Sequence, residues 1–129
     1  MRTVSLEALI ELQAKTIKVH GGLPGIKDDS LIKGALERPL NIIVYEPETS
    51  PGRLAAAVCH GIARGHDFND GNKRAAFLAL NIQLRLLGYL LDCSQRDAVR
   101  VIQDIASGGM SEGTLATWID DHLLPLRYR

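Results

Sequence analysis

Cysteine is scarce, since only two of the 129 residues are cysteine. Cys59 and Cys93 form no C-x-x-C pair and have no zinc-ligand spacing. The pattern therefore excludes a disulfide framework and a cysteine-based metal site. We expect both thiols to be small core residues of a protein in a reducing compartment.

An excess of charge of one sign is also lacking, because 15 basic residues balance 15 acidic residues. Proteins that bind nucleic acids in general carry a basic excess that neutralises phosphate groups. The balance argues against that class of protein, and we expect no direct nucleic acid binding. A local cluster of basic residues is still compatible with this balance.

Long hydrophobic runs are missing as well. The start of the chain lacks the apolar core of a secretory signal peptide. The most apolar stretches, such as residues 75–80, are far too short to span a bilayer. We therefore expect no membrane association and a cytoplasmic location.

Aliphatic side chains with helical spacing are abundant. Apolar residues make up 46% of the chain but only six residues are Phe, Trp or Tyr, so the core must consist of Leu, Ile, Val and Ala. This length suits one core, and we predict a single domain over residues 1–129. Apolar residues three and four positions apart predict six helices, which carry Leu9, Leu36, Val58, Leu80, Val101 and Leu115.

Polar and glycine residues mark the ends of these helices. Ser5 and Ser94 are suited to cap the first and fifth helices, because a serine hydroxyl accepts a hydrogen bond from an unpaired backbone N–H. Gly65 and Gly108 are expected to end the third and fifth helices. Pro39 is expected to end the second, since proline cannot continue the hydrogen-bond pattern.

Four residues break the helical pattern: Ile42, Ile43, Val44 and Tyr45. They are β-branched or aromatic and are followed by turn-forming residues, which favours a short strand or hairpin. The predicted fold class is therefore all-α: a compact single-domain bundle of about six helices with a short β-hairpin flap. Two interpretations of the flap stay open, an ordinary hairpin and an edge strand that pairs with a segment of a target protein.

Residues 66–74, with the sequence His-Asp-Phe-Asn-Asp-Gly-Asn-Lys-Arg, lead into the fourth helix. Backbone N–H groups are unpaired in the first turn of a helix and the helix dipole is positive there, so this end attracts anions such as phosphate. Gly71 lets the backbone approach an anion closely. Lys73 and Arg74 add full positive charges in the same place.

A carboxylate and an imidazole accompany this positive end. Asp70 places a carboxylate beside these positive charges. Its presence there is explained if it holds Mg²⁺, which favours one or two carboxylates together with phosphate oxygens. An imidazole exchanges protons near neutral pH, which suits His66 to act as a general base. The residue types therefore predict a magnesium nucleotide at a helix N-terminus with a base beside it.

The same nine residues closely resemble the signature of the Fic/Doc family, His-x-Phe-x-Asp/Glu-Ala/Gly-Asn-Gly/Lys-Arg. The chain is similar to the Doc branch of that family in its length, in the Gly-Gly-Leu-Pro-Gly sequence of residues 21–25 and in the Ala-Arg-Gly-His sequence of residues 63–66. The resemblance covers essentially the whole chain. It implies the helical Fic/Doc fold.

The resemblance also implies roles for individual residues, with ATP and Mg²⁺ as cofactors. His66 would take the proton from the hydroxyl of a target protein, and Asp70 would hold Mg²⁺. Asn69 would orient the loop or the nucleotide. The phosphates would be bound by the backbone at Gly71 and by the side chains of Asn72, Lys73 and Arg74.

The residue at position 73 bears on the type of reaction. Adenylylating relatives have glycine there and a second arginine where this chain has Phe77. Resemblance to Doc implies that lysine at this position goes with a nucleotide whose γ-phosphate faces His66, so the product would be a phosphorylated protein. The implied target is a threonine of elongation factor Tu, whose modification halts translation. Alternatives are a protein adenylyltransferase and a catalytically inactive binding module.

Resemblance to the Doc branch implies a toxin of a toxin–antitoxin module, so we expect a separate protein to regulate this chain. Some relatives inhibit themselves through a helix with the pattern Ser/Thr-x-x-x-Glu-Gly/Asn. Here Ser107 precedes Glu112 by one position too many. We therefore expect a Phd-like antitoxin, a segment that folds as a helix when it binds this domain.

The remaining candidates are a further arginine and three histidines. Arg64 is interpreted either as a charge favoured at a helix C-terminus or as a phosphate ligand, and both interpretations stay open. His20, His60 and His122 are interpreted as structural, because no ligand spacing links them.

Overall fold

Six helices and two short strands form the regular structure of residues 1–127, the part of the chain that the computed structural model describes. The helices are α1 (Leu6–His20), α2 (Ser30–Tyr45), α3 (Pro51–Arg64), α4 (Asn72–Leu86), α5 (Gln95–Ser107) and α6 (Glu112–Asp120). The strands are β1 (Tyr89–Leu91) and β2 (Leu123–Pro125). The prediction of an all-α fold with about six helices is confirmed.

The predicted helix caps are present. Ser5 accepts a hydrogen bond from the backbone N–H of Ala8, and Ser94 accepts one from that of Asp97. Gly108 follows α5 in the left-handed conformation, with a φ of 88°. These ends depend on residues three or four positions apart, which is why the sequence indicates them well.

Helix α3 lies at the centre of the core. It packs against α2, α4, α5 and α6, and residues 54–59 on it are all buried. Alanines at positions 55, 56 and 57 allow neighbouring helices to approach it closely on several sides. Residues 65–71 join α3 to α4, so the turn between these helices is attached to the centre of the core.

The predicted β-hairpin flap is wrong. Ile42, Ile43, Val44 and Tyr45 form the last turn of α2, which continues through Pro39. Ile42 is buried and packs with Leu54 and Ala57 of α3.

Helical periodicity continues through Pro39 because one face of α2 is buried along its whole length. The buried residues are Ile32, Ala35, Leu36, Pro39 and Ile42, three and four positions apart. Burial of this face offsets both the missing N–H of the proline and the strand preference of the isoleucines. The helical spacing of the apolar residues is therefore the stronger signal in this segment, and the β-branched side chains are the weaker one.

The two strands lie elsewhere. β1 follows α4 and pairs in antiparallel fashion with β2 after α6, with Leu90 opposite Leu124. No helix within residues 1–127 is both long enough and apolar enough to cross a membrane.

Candidate active site

The motif of residues 66–74 occupies the turn between α3 and α4 and the first residues of α4, as predicted. Gly65 follows the last residue of α3, and Asn72 is the first residue of α4. Gly71 precedes α4 in the left-handed conformation, with a φ of 74° and a ψ of 26°. A residue with a Cβ is strained in this conformation, so glycine is required at the point where the chain enters the helix.

Phe68 anchors the turn in the core. Its side chain is buried, and its backbone forms a bridge with Ile26. The side-chain amide of Asn72 accepts a hydrogen bond from the backbone N–H of Phe68 at 3.1 Å and donates one to its carbonyl oxygen at 3.0 Å. The side chain expected to bind phosphate therefore braces the turn instead, and Asn72 presents its backbone N–H at the helix start.

A segment far back in the sequence supports the same turn, and we call residues 21–25 the glycine loop. Asn69 donates from its side-chain amide to the carbonyl oxygen of Pro24 at 3.1 Å, and its backbone N–H donates to that of Gly25 at 3.0 Å. This contact agrees with the expectation that Asn69 orients the turn. The sequence marked the glycine loop as a loop but did not show that it packs here.

Asp70 lies between the glycine loop and α4. Its side chain is exposed, with one carboxylate oxygen 2.9 Å from the backbone N–H of Gly71 and the other 3.4 Å from that of Leu23. A Cβ on Gly22 would come within 2.9 Å of this carboxylate, so a larger residue there would force the carboxylate to move. The carboxylate is thus held in place while its oxygens stay accessible to solvent.

Asp67 is a residue of the turn to which sequence reasoning assigned no role. Its side chain is only 4% exposed, and it accepts a hydrogen bond of 2.9 Å from the backbone N–H of Ile32. Ile32 lies in the first turn of α2, whose own N-cap residue Asp29 makes no such bond with its side chain. Asp67 therefore caps α2 from another part of the chain.

A cavity of about 890 Å³ opens beside the motif and is large enough for a nucleotide. Motif residues line one end: His66, Asn69, Asp70, Gly71, Asn72, Lys73 and Arg74. α5 and neighbouring segments line the remainder, mostly with apolar side chains such as Phe77, Leu91, Ala98, Val99 and Ile102. The structure thus brings a charged end and an apolar end together in one cavity.

The charged end is electrically suited to a polyanion. Lys73 and Arg74 are exposed in the cavity, and neither takes part in an ion pair with the rest of residues 1–127. Both lie in the first turn of α4, where the helix dipole adds positive potential. A second cleft of about 720 Å³ contains no motif residue. Its charged lining residues are three acids, Glu46, Glu48 and Asp120, and one base, Arg53, so its excess of negative charge disfavours a phosphate.

Asp70 would be the protein ligand of a bound Mg²⁺. Among the residues that the structure describes, no three His, Cys, Asp or Glu side chains are grouped to hold a metal ion. A single carboxylate suits Mg²⁺, which usually retains water and binds phosphate oxygens as its other ligands. The donor set therefore fits a magnesium ion that arrives with a nucleotide.

Arg64 lies outside the lining of the cavity. Its guanidinium donates to the carbonyl oxygen of Ala106 at 3.3 Å, near the C-terminal end of α5. This position favours the interpretation as a charge at a helix C-terminus over that of a phosphate ligand.

The three other histidines have different surroundings. His122 contacts the carbonyl oxygen of Trp118 at 2.7 Å and packs on its ring, which agrees with a structural role. His60 is partly buried on α3. His20, interpreted as structural from the sequence, is exposed at the end of α1 and lines the cavity.

Comparison with known proteins identifies the family. A model described as the Fic/DOC family matches residues 3–84. The chain belongs to the Fic/DOC family. This Fic/DOC protein is also 38% identical over 88 residues to "Protein kinase doc" of Escherichia phage P1, a match that covers 68% of this chain and 70% of the phage protein. The resemblance stated from the motif is thereby confirmed, including the Doc branch.

Proposed function

We propose that this Fic/DOC protein is a Doc-like protein kinase that transfers the γ-phosphate of ATP to a hydroxyl group of another protein. The observation that carries the proposal is the charged end of the cavity. There His66, Asp70 and two cations that form no ion pair within residues 1–127 surround the first turn of a helix. Such an arrangement suits a reaction that depends mainly on positioning and charge stabilisation, as phosphoryl transfer does.

Each residue has a distinct task in this proposal. Lys73, Arg74 and the backbone N–H groups at the start of α4 bind the phosphate oxygens and hold the γ-phosphorus toward His66. The imidazole of His66 accepts the proton of the target hydroxyl as the hydroxyl oxygen bonds to the γ-phosphorus. The bond between the γ-phosphorus and the oxygen of the leaving ADP breaks. Mg²⁺ held by Asp70 would neutralise charge on the phosphates.

Transfer of phosphate is favoured over transfer of AMP on two grounds. Lys73 stands where adenylylating relatives have glycine, and Phe77 stands where they have a second arginine. In addition, a curated relative that matches this chain is named "Protein kinase doc". Both grounds support orientation of the γ-phosphate toward His66.

ATP labelled at either the γ- or the α-phosphate tests the reaction type. Purified elongation factor Tu, incubated with this protein, ATP and Mg²⁺, is expected to gain label from the γ-position and a mass of one phosphate. Label from the α-position would instead establish an adenylyltransferase. His66→Ala is expected to abolish transfer, whereas His60→Ala, which changes a histidine outside the cavity lining, is expected to retain it.

We infer further that the protein is the toxin of a toxin–antitoxin module that acts on elongation factor Tu and is controlled by a Phd-like antitoxin. The contacts of Glu112 support external control. Glu112 forms ion pairs with Arg38 and Arg53 and does not line the cavity, so it is not an inhibitory glutamate.

Growth on expression tests this inference. The wild-type protein is expected to arrest growth and His66→Ala to relieve the arrest, as is co-expression of the protein encoded next to it. Arrest that persists with His66→Ala would favour an inactive binding module.

A further inference from the structure

Gln13 of α1 contacts the turn that enters α4. Its side chain is only 3% exposed, and its amide nitrogen donates to the carbonyl oxygens of Asp70 and Gly71, each at 3.0 Å. The two contacts span 57 and 58 positions of sequence. Gln13 lies on the buried face of α1, four positions after Leu9 and four before Ile17.

These contacts control the direction in which backbone N–H groups point. In a trans peptide the carbonyl oxygen and the following N–H point in opposite directions. Holding the carbonyls of Asp70 and Gly71 on the α1 side therefore aims the N–H groups of Gly71 and Asn72 away from α1.

The conformation of the turn makes those N–H groups converge. Gly71 is left-handed and Asn72 begins a right-handed helix. Consecutive residues of opposite hand form a concave nest of N–H groups that binds anions. In this structure the N–H of Gly71 donates to the carboxylate of Asp70, an anion from the protein itself.

The side chain of Gln13 packs closely against Gly71. A Cβ on Gly71 would collide first with the amide nitrogen of Gln13 and would also lie 3.3 Å from a methyl group of Ile17. Glycine is therefore needed here both for its left-handed conformation and for the close approach of α1.

We propose that Gln13 is a positioning residue that holds the phosphate-binding N–H groups at the start of α4 in their binding conformation. The inference rests on the proposed function, because it assigns Gln13 to the same phosphate site. Gln13 acts through the turn and makes no contact with the substrate.

Gln83 provides a matched control. It is 0% exposed, lies on α4, and donates from its side-chain amide to the carbonyl oxygen of Arg2 at 3.1 Å. The side-chain oxygens of Gln13 and Gln83 both lack a hydrogen-bond partner within residues 1–127. Methionine at either position removes the donor and keeps a side chain of similar length.

Nucleotide binding is the first measurement. Gln13→Met removes both hydrogen bonds to the carbonyl oxygens of Asp70 and Gly71. It is expected to weaken ATP binding and raise the KM for ATP about five- to tenfold, an effect of the size that one net hydrogen bond contributes. Gln83→Met is expected to leave both values unchanged while lowering the Tm to a similar extent. Equal ATP affinities in the two variants would overturn the proposal.

Amide hydrogen exchange without nucleotide separates this proposal from the proposed function. The N–H of Ala75 donates to the same carbonyl oxygen of Gly71 at 2.9 Å. Exchange at Ala75 is expected to be faster in Gln13→Met than in the wild type or Gln83→Met. If wild-type protein binds no ATP, the proposed function fails, yet faster exchange at Ala75 still supports the bracing by Gln13, and unchanged exchange refutes it.

A measurement on the wild-type protein covers the case in which Gln13→Met does not fold. Tripolyphosphate is expected to slow exchange of the side-chain amide protons of Gln13, because an occupied nest holds the turn against α1. Exchange at Gln83 is expected to be unchanged. Identical behaviour of the two side chains would refute the proposal.

Discussion

At the scale of residues, the side chains of the motif at residues 66–74 have two different tasks. Phe68, Asn69 and Asn72 contact the protein and fix the shape of the turn. His66 and Lys73 are exposed in the cavity. A nine-residue signature thus combines supporting positions with positions available for chemistry.

Asp67 supports the first residue-scale prediction. Asp67→Ala leaves the N–H of Ile32 without its acceptor, so we expect a loss of about 1–2 kcal/mol in the free energy of unfolding. Urea denaturation measures this loss. Asp28→Ala removes an exposed carboxylate that accepts from Ser30 near the same helix start, and we expect a smaller loss. Equal losses would contradict the role of Asp67.

At the scale of elements, a group of ion pairs joins three helices. Glu112 of α6 pairs with Arg38 of α2 and with Arg53 of α3, in the second case at 2.7 Å. Burial acts to raise the pKa of Glu112, but the hydrogen bonds and charges of the two arginines outweigh it and hold the pKa below its ordinary value.

This lowered pKa predicts a pH dependence of stability. A carboxyl group with a lower pKa in the folded state stabilises the protein above its unfolded-state pKa, and the contribution is lost as the pH falls through the folded-state pKa. Glu112→Gln should therefore cost about 1 kcal/mol at neutral pH, a value limited by solvent screening of the arginines, and progressively less in acid.

Thermal denaturation of both proteins between neutral and acidic pH measures the effect. Glu11→Gln is the control, because Glu11 and Lys15 form a highly exposed pair at 3.8 Å. It is expected to have little effect at any pH. A difference between wild type and Glu112→Gln that stays constant with pH would contradict the prediction.

The last turn of α2 provides a second prediction at this scale. Val44 is 72% exposed on this helix. Its side chain is therefore available for contact with a target protein, although the segment is a helix and not the predicted edge strand. If this turn contacts elongation factor Tu, Val44→Ser should raise the KM for that protein several-fold and leave ATP affinity and Tm unchanged. Val19→Ser, at a 76% exposed position on α1, should have no effect. Identical KM values would remove this turn from the docking surface.

At the scale of the whole molecule, nucleotide binding should stabilise the fold, because the cavity is lined by several helices. At one hundred times the dissociation constant a ligand contributes about 2.7 kcal/mol. For a domain of this size that raises the Tm by about 10 °C.

The proposed magnesium site predicts that the shift in Tm produced by ATP depends on the metal. We expect EDTA and Asp70→Ala each to reduce the shift produced by ATP. Asp104→Ala, which changes an exposed aspartate of α5 outside the cavity lining, should not reduce it. A full shift without magnesium would argue against metal binding at Asp70.

Features that depend on residues close together in the chain are predictable from the amino-acid sequence. Six helices, the serine caps and the placement of the motif at the start of α4 all follow from spacings of a few residues. A short signature within one turn was enough to indicate the family. Such features are encoded locally, because capping bonds and helical faces join residues that are close in the chain.

The long-range contacts of these helices and turns are visible only in the three-dimensional structure. Burial of Ile42 against α3 extended α2 through Pro39 and replaced the predicted hairpin with a helix. The contacts of Gln13 with the turn and of Asp67 with α2 join residues 35 or more positions apart. The spacing of residues along the sequence does not indicate such pairs. A buried hydrogen bond stabilises the protein only where the fold places its donor and acceptor side by side.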